Sequence, residues 1–199
     1  MEKTKKIIGW TIIVLFGLFV LMLLIRLPFF LQNRRTAEQV VKIHATKLQL
    51  ADVMGENLPP DPGAEADKTV AGIDANKNGI RDDVELAIFK AYPNSAKTRA
   101  VLLQYALSLQ MEAIQPIVNQ ETVTEVVREQ SRAYVCIGDI IPRVSSKKFD
   151  EETDFLTEFV KKRQLNTQER KNQRNDFLEH ISSYSELDGC DIDYSTLPN

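Results

Sequence analysis

Hydrophobic positions divide this chain into one long uncharged run followed by shorter amphipathic stretches. "IIGWTIIVLFGLFVLMLLI", Ile7 to Ile25, is nineteen residues without a charge, enough at about 1.5 Å per residue to cross roughly 30 Å of hydrocarbon. It predicts a membrane helix. Trp10 near one end, and Phe29 and Phe30 near the other, fit aromatic anchoring at the two headgroup layers. The run closes in "LLIRLPFF", with no small residues at a cleavage spacing, so it reads as an uncleaved anchor rather than a removable signal peptide. Residues 33–54 place Ala37, Val41, His44, Leu48 and Ala51 on one helical stripe, and Pro28 is expected to kink or restart the helix ahead of them. "GENLPPDPG", Gly55 to Gly63, then breaks the periodicity as a linker or a wrapped loop.

Helical spacing resumes further on. "DVELAIFKAY" is a short helix stopped at Tyr92-Pro93, with Asn94 or Ser95 as the cap of the next. In that next helix Val101, Leu102, Tyr105, Ala106, Leu109 and Ala113 form a broad apolar face. Another runs from about Gln120 to Ile140, offering Val123, Val126, Val127, Tyr134 and Ile137 to the core. "DEETDFLTEFVKKRQL" and "TQERKNQRNDFLEHISSY" complete the set, the first with acids leading and bases trailing, as a helix dipole prefers. No stretch alternates as a strand does. The expected class is all-α: a transmembrane anchor over residues 1–31, a juxtamembrane helix over 32–54, a Pro/Gly-rich linker over 55–71 and a helical domain over 72–199.

Charge bears on partners and on sidedness. Residues 36–199 carry 19 of the 25 basic and 27 of the 28 acidic side chains, a net charge of −8. Such a field repels phosphate backbones and favours cations, so nucleic acid is not an expected partner. The basic cluster "KKRQLNTQERKNQR", Lys161 to Arg174, reads as a solvated helix face. Lys3, Lys5 and Lys6 before the anchor balance Arg26, Arg34 and Arg35 after it, so loop charge does not orient the helix.

The densest polar signal is "GIDANKNGIRDDVE", Gly72 to Glu85. With Asp74 as the first of twelve positions, Asn76 is third, Asn78 fifth, Gly79 sixth, Ile80 seventh, Asp82 ninth and Glu85 twelfth. Calcium takes six to eight hard oxygens; alternate residues of a tight loop turn oxygens inward, a sixth-position glycine permits the bend, and a twelfth-position glutamate grips with both oxygens. The spacing makes Asp74, Asn76, Asn78, the Ile80 carbonyl, Asp82 and Glu85 the expected Ca²⁺ ligands. Magnesium suits it less, because it demands a smaller, near-octahedral shell.

These twelve residues resemble an EF-hand loop, and more closely the calcium loops of thrombospondin type 3 and dockerin-like modules of secreted proteins. A regular EF-hand carries its apolar residue at the eighth position; here that residue is Arg81 and the apolar one is Ile80. Thr69 to Ile73 offers no entering helix, so the resemblance implies half an EF-hand without a paired second loop. "NGIRDDVE" is also similar to a variant in bacterial exported or membrane-anchored proteins, which implies no activity. A metal-free reading competes: Asn78-Gly79 as a turn, with Asp82 as helix N-cap and Glu85 as its capping-box partner.

Cys136 and Cys190 are the only cysteines and lack CxxC spacing. They form a disulfide if the domain is extracytoplasmic, or are otherwise two separate buried thiols. His44 and His180 fit no zinc pattern, and no nucleophile or phosphate-loop motif occurs. Asp188, Asp191 and Asp193 read as a solvated tail. The chain is therefore expected to be a non-enzymatic, single-pass protein of the inner (cytoplasmic) membrane. Its N-terminus is cytoplasmic and its calcium-bearing C-terminal domain periplasmic or extracellular, where it binds or scaffolds an envelope protein. The competing readings are an envelope hydrolase and a cytoplasmic calcium-responsive signalling part.

Overall fold

The computed structural model describes residues 2–199 and is all-helical, with no strand among the described residues. It divides into two units, one ending at Gln39 and one spanning Val40–Asn199. The first consists of helix α1 (Glu2–Ala45) as far as Gln39. Its apolar side chains from Ile7 to Leu31 are exposed, and α1 is long and apolar enough to cross a membrane. The helix passes through Pro28 without restarting. The expected juxtamembrane stripe forms only in part: Leu48 enters the core and His44 and Ala51 are half-buried, but Val41 is 67% exposed and Ile43, outside the stripe, is buried.

The second unit contains the end of α1 and helices α2 (Leu50–Met54), α3 (Asp82–Ala91), α4 (Ala96–Ile114), α5 (Gln120–Asp139), α6 (Ser146–Gln164) and α7 (Gln168–Leu178). Four begin where a side chain supplies an otherwise orphan helix N–H with an acceptor: Ser95 takes Thr98 N–H, Asn119 takes Thr122, Ser145 takes Lys148 and Thr167 takes Arg170. Helix α7 stops at Leu178, short of the expected Tyr184, because the following backbone finds partners on α5. Gln120 donates to the Ile181 carbonyl, and Thr124 accepts from Ser182 N–H.

Helix α4 is the spine. Every residue from Arg99 to Glu112 is buried, so the one apolar face expected there is in fact a helix enclosed on all sides. Enclosure forces its polar residues to find partners inside the protein. Gln104 accepts from Asp191 N–H at 3.0 Å, Gln110 donates to the Ala71 carbonyl at 2.7 Å, and Glu112 accepts from Arg174 at 2.8 Å. Each bond fixes an irregular segment or a neighbouring helix to the spine. On α5 the inward positions are Val123, Val126, Val127, Ala133, Cys136 and Ile137; Tyr134, expected inside, faces solvent.

Residues 55–81, largely irregular apart from a 3-10 turn at Gly63–Asp67, wrap this bundle and are held by arginines whose forks collect main-chain carbonyls. Arg99 anchors the point where the segment leaves α2, donating to the Val53 carbonyl and to those of Tyr92 and Pro93. Arg170 donates to those of Ala66, Thr69 and Val70 and pairs with Asp67 at 2.6 Å. The segment is thus a wrapped loop rather than a free linker. The basic cluster at Lys161–Arg174 is not simply a solvated face either, since Arg170 is buried and Arg174 is bonded to buried Glu112. Periodicity misses both because a long side chain on a polar face can still bury its stem and fork against a loop.

Candidate metal centre

Residues 72–81 form a closed loop at the head of α3. Its base is pinned by Asp82 N–H donating to the Ile73 carbonyl at 2.9 Å. Two residues in the bend adopt left-handed backbone, Lys77 at φ 60° and Gly79 at φ 84°. A Cβ on Gly79 would also meet Leu107 of α4 at 2.7 Å, so glycine is required both for the bend and for the close approach. Ile80 inserts its side chain into the core, fastening the seventh position to the bundle.

Inside the loop the oxygen-bearing side chains turn inward onto backbone N–H groups. Asp74 accepts from Asn78 N–H at 3.2 Å and from Gly79 N–H at 3.0 Å. Asn76 accepts from Asn78 N–H at 3.4 Å, and Asn78 from Ile80 N–H at 2.9 Å. Asp82 accepts from Ala75 N–H, at 3.0 and 3.1 Å on its two oxygens. Glu85 reaches back from α3 to accept from the Asn76 amide at 3.1 Å. The same amide donates to the Asn57 carbonyl at 2.9 Å, bringing the residues after α2 against the loop where an entering helix is missing.

The capping alternative is not what the structure contains. The N-cap of α3 is Arg81, without a side-chain cap, and Asp82 is the first helical residue. Asp82 and Glu85 instead spend their oxygens on the loop, which a helix cap alone would not require.

Electrostatics single out the same two carboxyls. Glu85 is 1% exposed, and burial pushes its pKa up to about 7 against the pull of the Asn76 and Asn78 amides, with Asp52 and Asp82 adding to the rise. Burial also raises Asp82, opposed by the Ala75 N–H and reinforced by Asp74 and Asp83. Among the described residues no Lys or Arg forms an ion pair with Asp74, Asp82 or Glu85. The buried Asn78 amide nitrogen makes no hydrogen bond within 3.5 Å, although it lies near enough to Glu85 to favour that carboxylate's charge. Buried carboxyls without a countercharge are what a divalent cation would relieve. Among the described residues no group of three or more His, Cys, Asp or Glu could hold a metal. A cation here would have to draw on asparagine and main-chain oxygens as well, which is hard-cation chemistry rather than zinc chemistry.

Arg81 explains the departure from the EF-hand pattern. It is fully buried and turned away from the loop mouth, gripping Asp83 with both arms at 2.6 and 2.7 Å. It also donates to the Arg163 and Gln164 carbonyls at the end of α6, at 2.8 and 3.2 Å. An eighth residue engaged inside its own domain cannot present an apolar side chain to a second loop.

Three placements escape sequence reasoning. Asp52 lies near Glu85, and the loop forms one wall of a cavity of about 480 Å³ whose other sides include Lys47, Asp52, Leu107 and Met111. Asp191, expected in a solvated tail, is buried among Lys47, Arg132 and the Leu48 N–H. His44 stands between Glu129 at 2.7 Å and Glu125 at 3.0 Å, a contact across 81 or more residues with no local signature. Cys136 and Cys190 are disulfide-bonded.

Comparison of this chain with protein-family models, curated proteins and solved structures finds no match.

Proposed function

We propose that this is a membrane-anchored, extracytoplasmic calcium-binding module in which Asp74, Asn76, Asn78, the Ile80 carbonyl, Asp82 and Glu85 hold a structural Ca²⁺. The observation that carries the reading is the convergence of Asp82 and Glu85, buried and without a countercharge, on a loop whose other oxygens share calcium spacing. The cation fixes the loop that seats Ile80 and the first turn of α3 against α4. The Cys136–Cys190 bridge supports an oxidising compartment, hence the far side of the membrane from the N-terminus. With no catalytic motif in the sequence, the domain serves as a binding or scaffolding part for another envelope protein.

An enzyme reading would want a perturbed carboxylate in an accessible site away from the loop. Glu112 has the perturbation, its pKa pushed up to about 7 by burial against the pull of Arg174, but it is sealed inside and salt-bridged to that arginine. It offers a substrate nothing to reach.

Adding calcium to the full-length chain in detergent raises its melting temperature. Ligand linkage gives about 2.7 kcal/mol at a hundredfold excess over Kd, and extracellular loops of this kind bind at roughly 0.1 to 1 mM. Glu85→Gln removes most of that rise. Equal melting of the native chain in calcium and in chelator refutes the site.

Without calcium, stability depends on pH in a defined direction. Glu85 is raised from 4.5 to about 7, so the folded state keeps a proton that the unfolded chain releases. That contribution is complete below about pH 4.5 and is lost as pH rises through about 7. Calcium displaces the same proton, so its affinity climbs over this interval. Glu112 titrates in the same sense with or without calcium, so the diagnostic quantity is the calcium-induced shift in melting temperature, which grows between about pH 5 and 8. A calcium shift that stays constant over that range contradicts Glu85 as a ligand.

A further inference from the structure

The C-terminal tail between α7 and the 3-10 turn at Tyr194–Thr196 has no regular structure, yet it ends in one of the most heavily bonded side chains of the domain. Asp191 accepts from Leu48 N–H at 2.9 Å and from Arg132 at 2.7 Å, and lies 3.3 Å from the Lys47 ammonium. Its own N–H donates to Gln104 of α4 at 3.0 Å. Lys47 and Leu48 belong to the short non-helical step between α1 and α2, where the backbone leaves one helix before entering the next. The residue adjacent to Asp191 is Cys190, bonded to Cys136 on α5. Besides that bond, Gly189 is tied to α5 through its carbonyl on Arg132, and Ser185 through its carbonyl on Arg128.

We infer that the Cys136–Cys190 bridge is a redox-controlled bolt: while closed it holds Asp191 across the α1–α2 step, and when reduced it frees that step. The argument is one of proximity. A chain without helix or strand bonds of its own loses orientation when its covalent tie is cut, and a buried carboxylate serving three donors tolerates little misplacement. Cys136 is buried and Cys190 only half-buried, so an incoming thiolate meets Cys190 first. The reductant is a dithiol. One of its thiolates attacks the Cys190 sulfur, the S–S bond breaks, and Cys136 leaves as a thiolate that takes up a proton. The second thiol, as its thiolate, then displaces Cys190, which is protonated in turn. The dithiol departs as a disulfide, having supplied two electrons and two protons.

The consequence is local and concerns the last turn of α1. The same cluster holds His44 between Glu125 and Glu129, and Glu129 also pairs with Arg132, the residue that grips Asp191. Releasing Asp191 therefore loosens the contacts that fix the end of α1 on α5 while leaving the apolar spine in place. This inference does not depend on calcium.

Hydrogen exchange of the full-length chain in detergent, oxidised and after dithiothreitol, tests it. Reduction is expected to speed exchange of the Leu48 amide tenfold or more through a local opening with little urea dependence, while α4 amides still exchange only by global unfolding. Asp191→Ala in the oxidised protein is expected to reproduce the effect with the bridge intact. Unchanged protection at Leu48 after reduction overturns the bolt, as does exchange at Leu48 that shares the urea dependence of the α4 amides, which would make the bridge a global staple alone. A protected Leu48 amide in Asp191→Ala overturns it as well.

Discussion

Cys136→Ala combined with Cys190→Ala lowers the stability of the oxidised chain by about 4 kcal/mol, the chain-entropy value for a loop of this size. The bridge spans 54 residues, from the middle of the bundle to near its C-terminus, and so restricts a large part of the unfolded ensemble. For a domain of this size the loss corresponds to a fall of roughly 10 °C in melting temperature. Thermal unfolding of the variant and the native chain, both without reductant, reads it directly. Because the entropic effect acts on the unfolded state, it is separate from the local release at Leu48, which is a property of the folded one. A loss below about 1 kcal/mol would mean that the tail already stays near α5 in the unfolded chain.

Arg81→Met costs about 3 to 4 kcal/mol, roughly 1 to 3 kcal/mol for each of the two carbonyls left without a donor. Methionine fills most of the volume but leaves the Arg163 and Gln164 carbonyls without their donor and Asp83 without its guanidinium. Asp83→Asn is expected to cost about as much, since it leaves the fully buried Arg81 guanidinium without its countercharge. Gly72 sits against this arginine with φ 68°, and a Cβ there would meet the Arg81 stem at 2.3 Å. Gly72→Ala should therefore mimic part of the Arg81 loss. Denaturant unfolding of the three variants measures these costs, and an Arg81→Met that loses less than about 1 kcal/mol would show the carbonyl contacts to be unimportant.

The helices were legible because their signals are local: a cap at Ser95, bases last in α6 and prolines between elements, although α6 starts at Ser146 behind a Ser145 cap with lysines rather than acids in its first turn. Class and element order follow from those alone. What the pattern concealed was the use of polar residues as long-range fasteners. Gln104, Gln110 and Glu112 look like interruptions of an apolar face, and Arg170 like part of a soluble surface, until their partners 39 to 104 residues away are known. The loop was legible for the opposite reason, as its twelve positions carry their geometry in their spacing. Asn78 and Gly79 set the bend, and Asp74 accepts from their N–H groups only four and five residues on. The surroundings of that loop, Asp52 and the Asn57 carbonyl, had no signature, because they arrive through the wrapped segment after α2.

With its eighth residue committed to the end of α6, the loop offers no apolar side chain through which a second loop could share its occupancy. Ion uptake at such a solitary site would follow a plain hyperbola with a Hill coefficient of about one. The protein would then register its ionic surroundings in proportion, by degrees, rather than by the steep threshold that linked pairs of loops achieve.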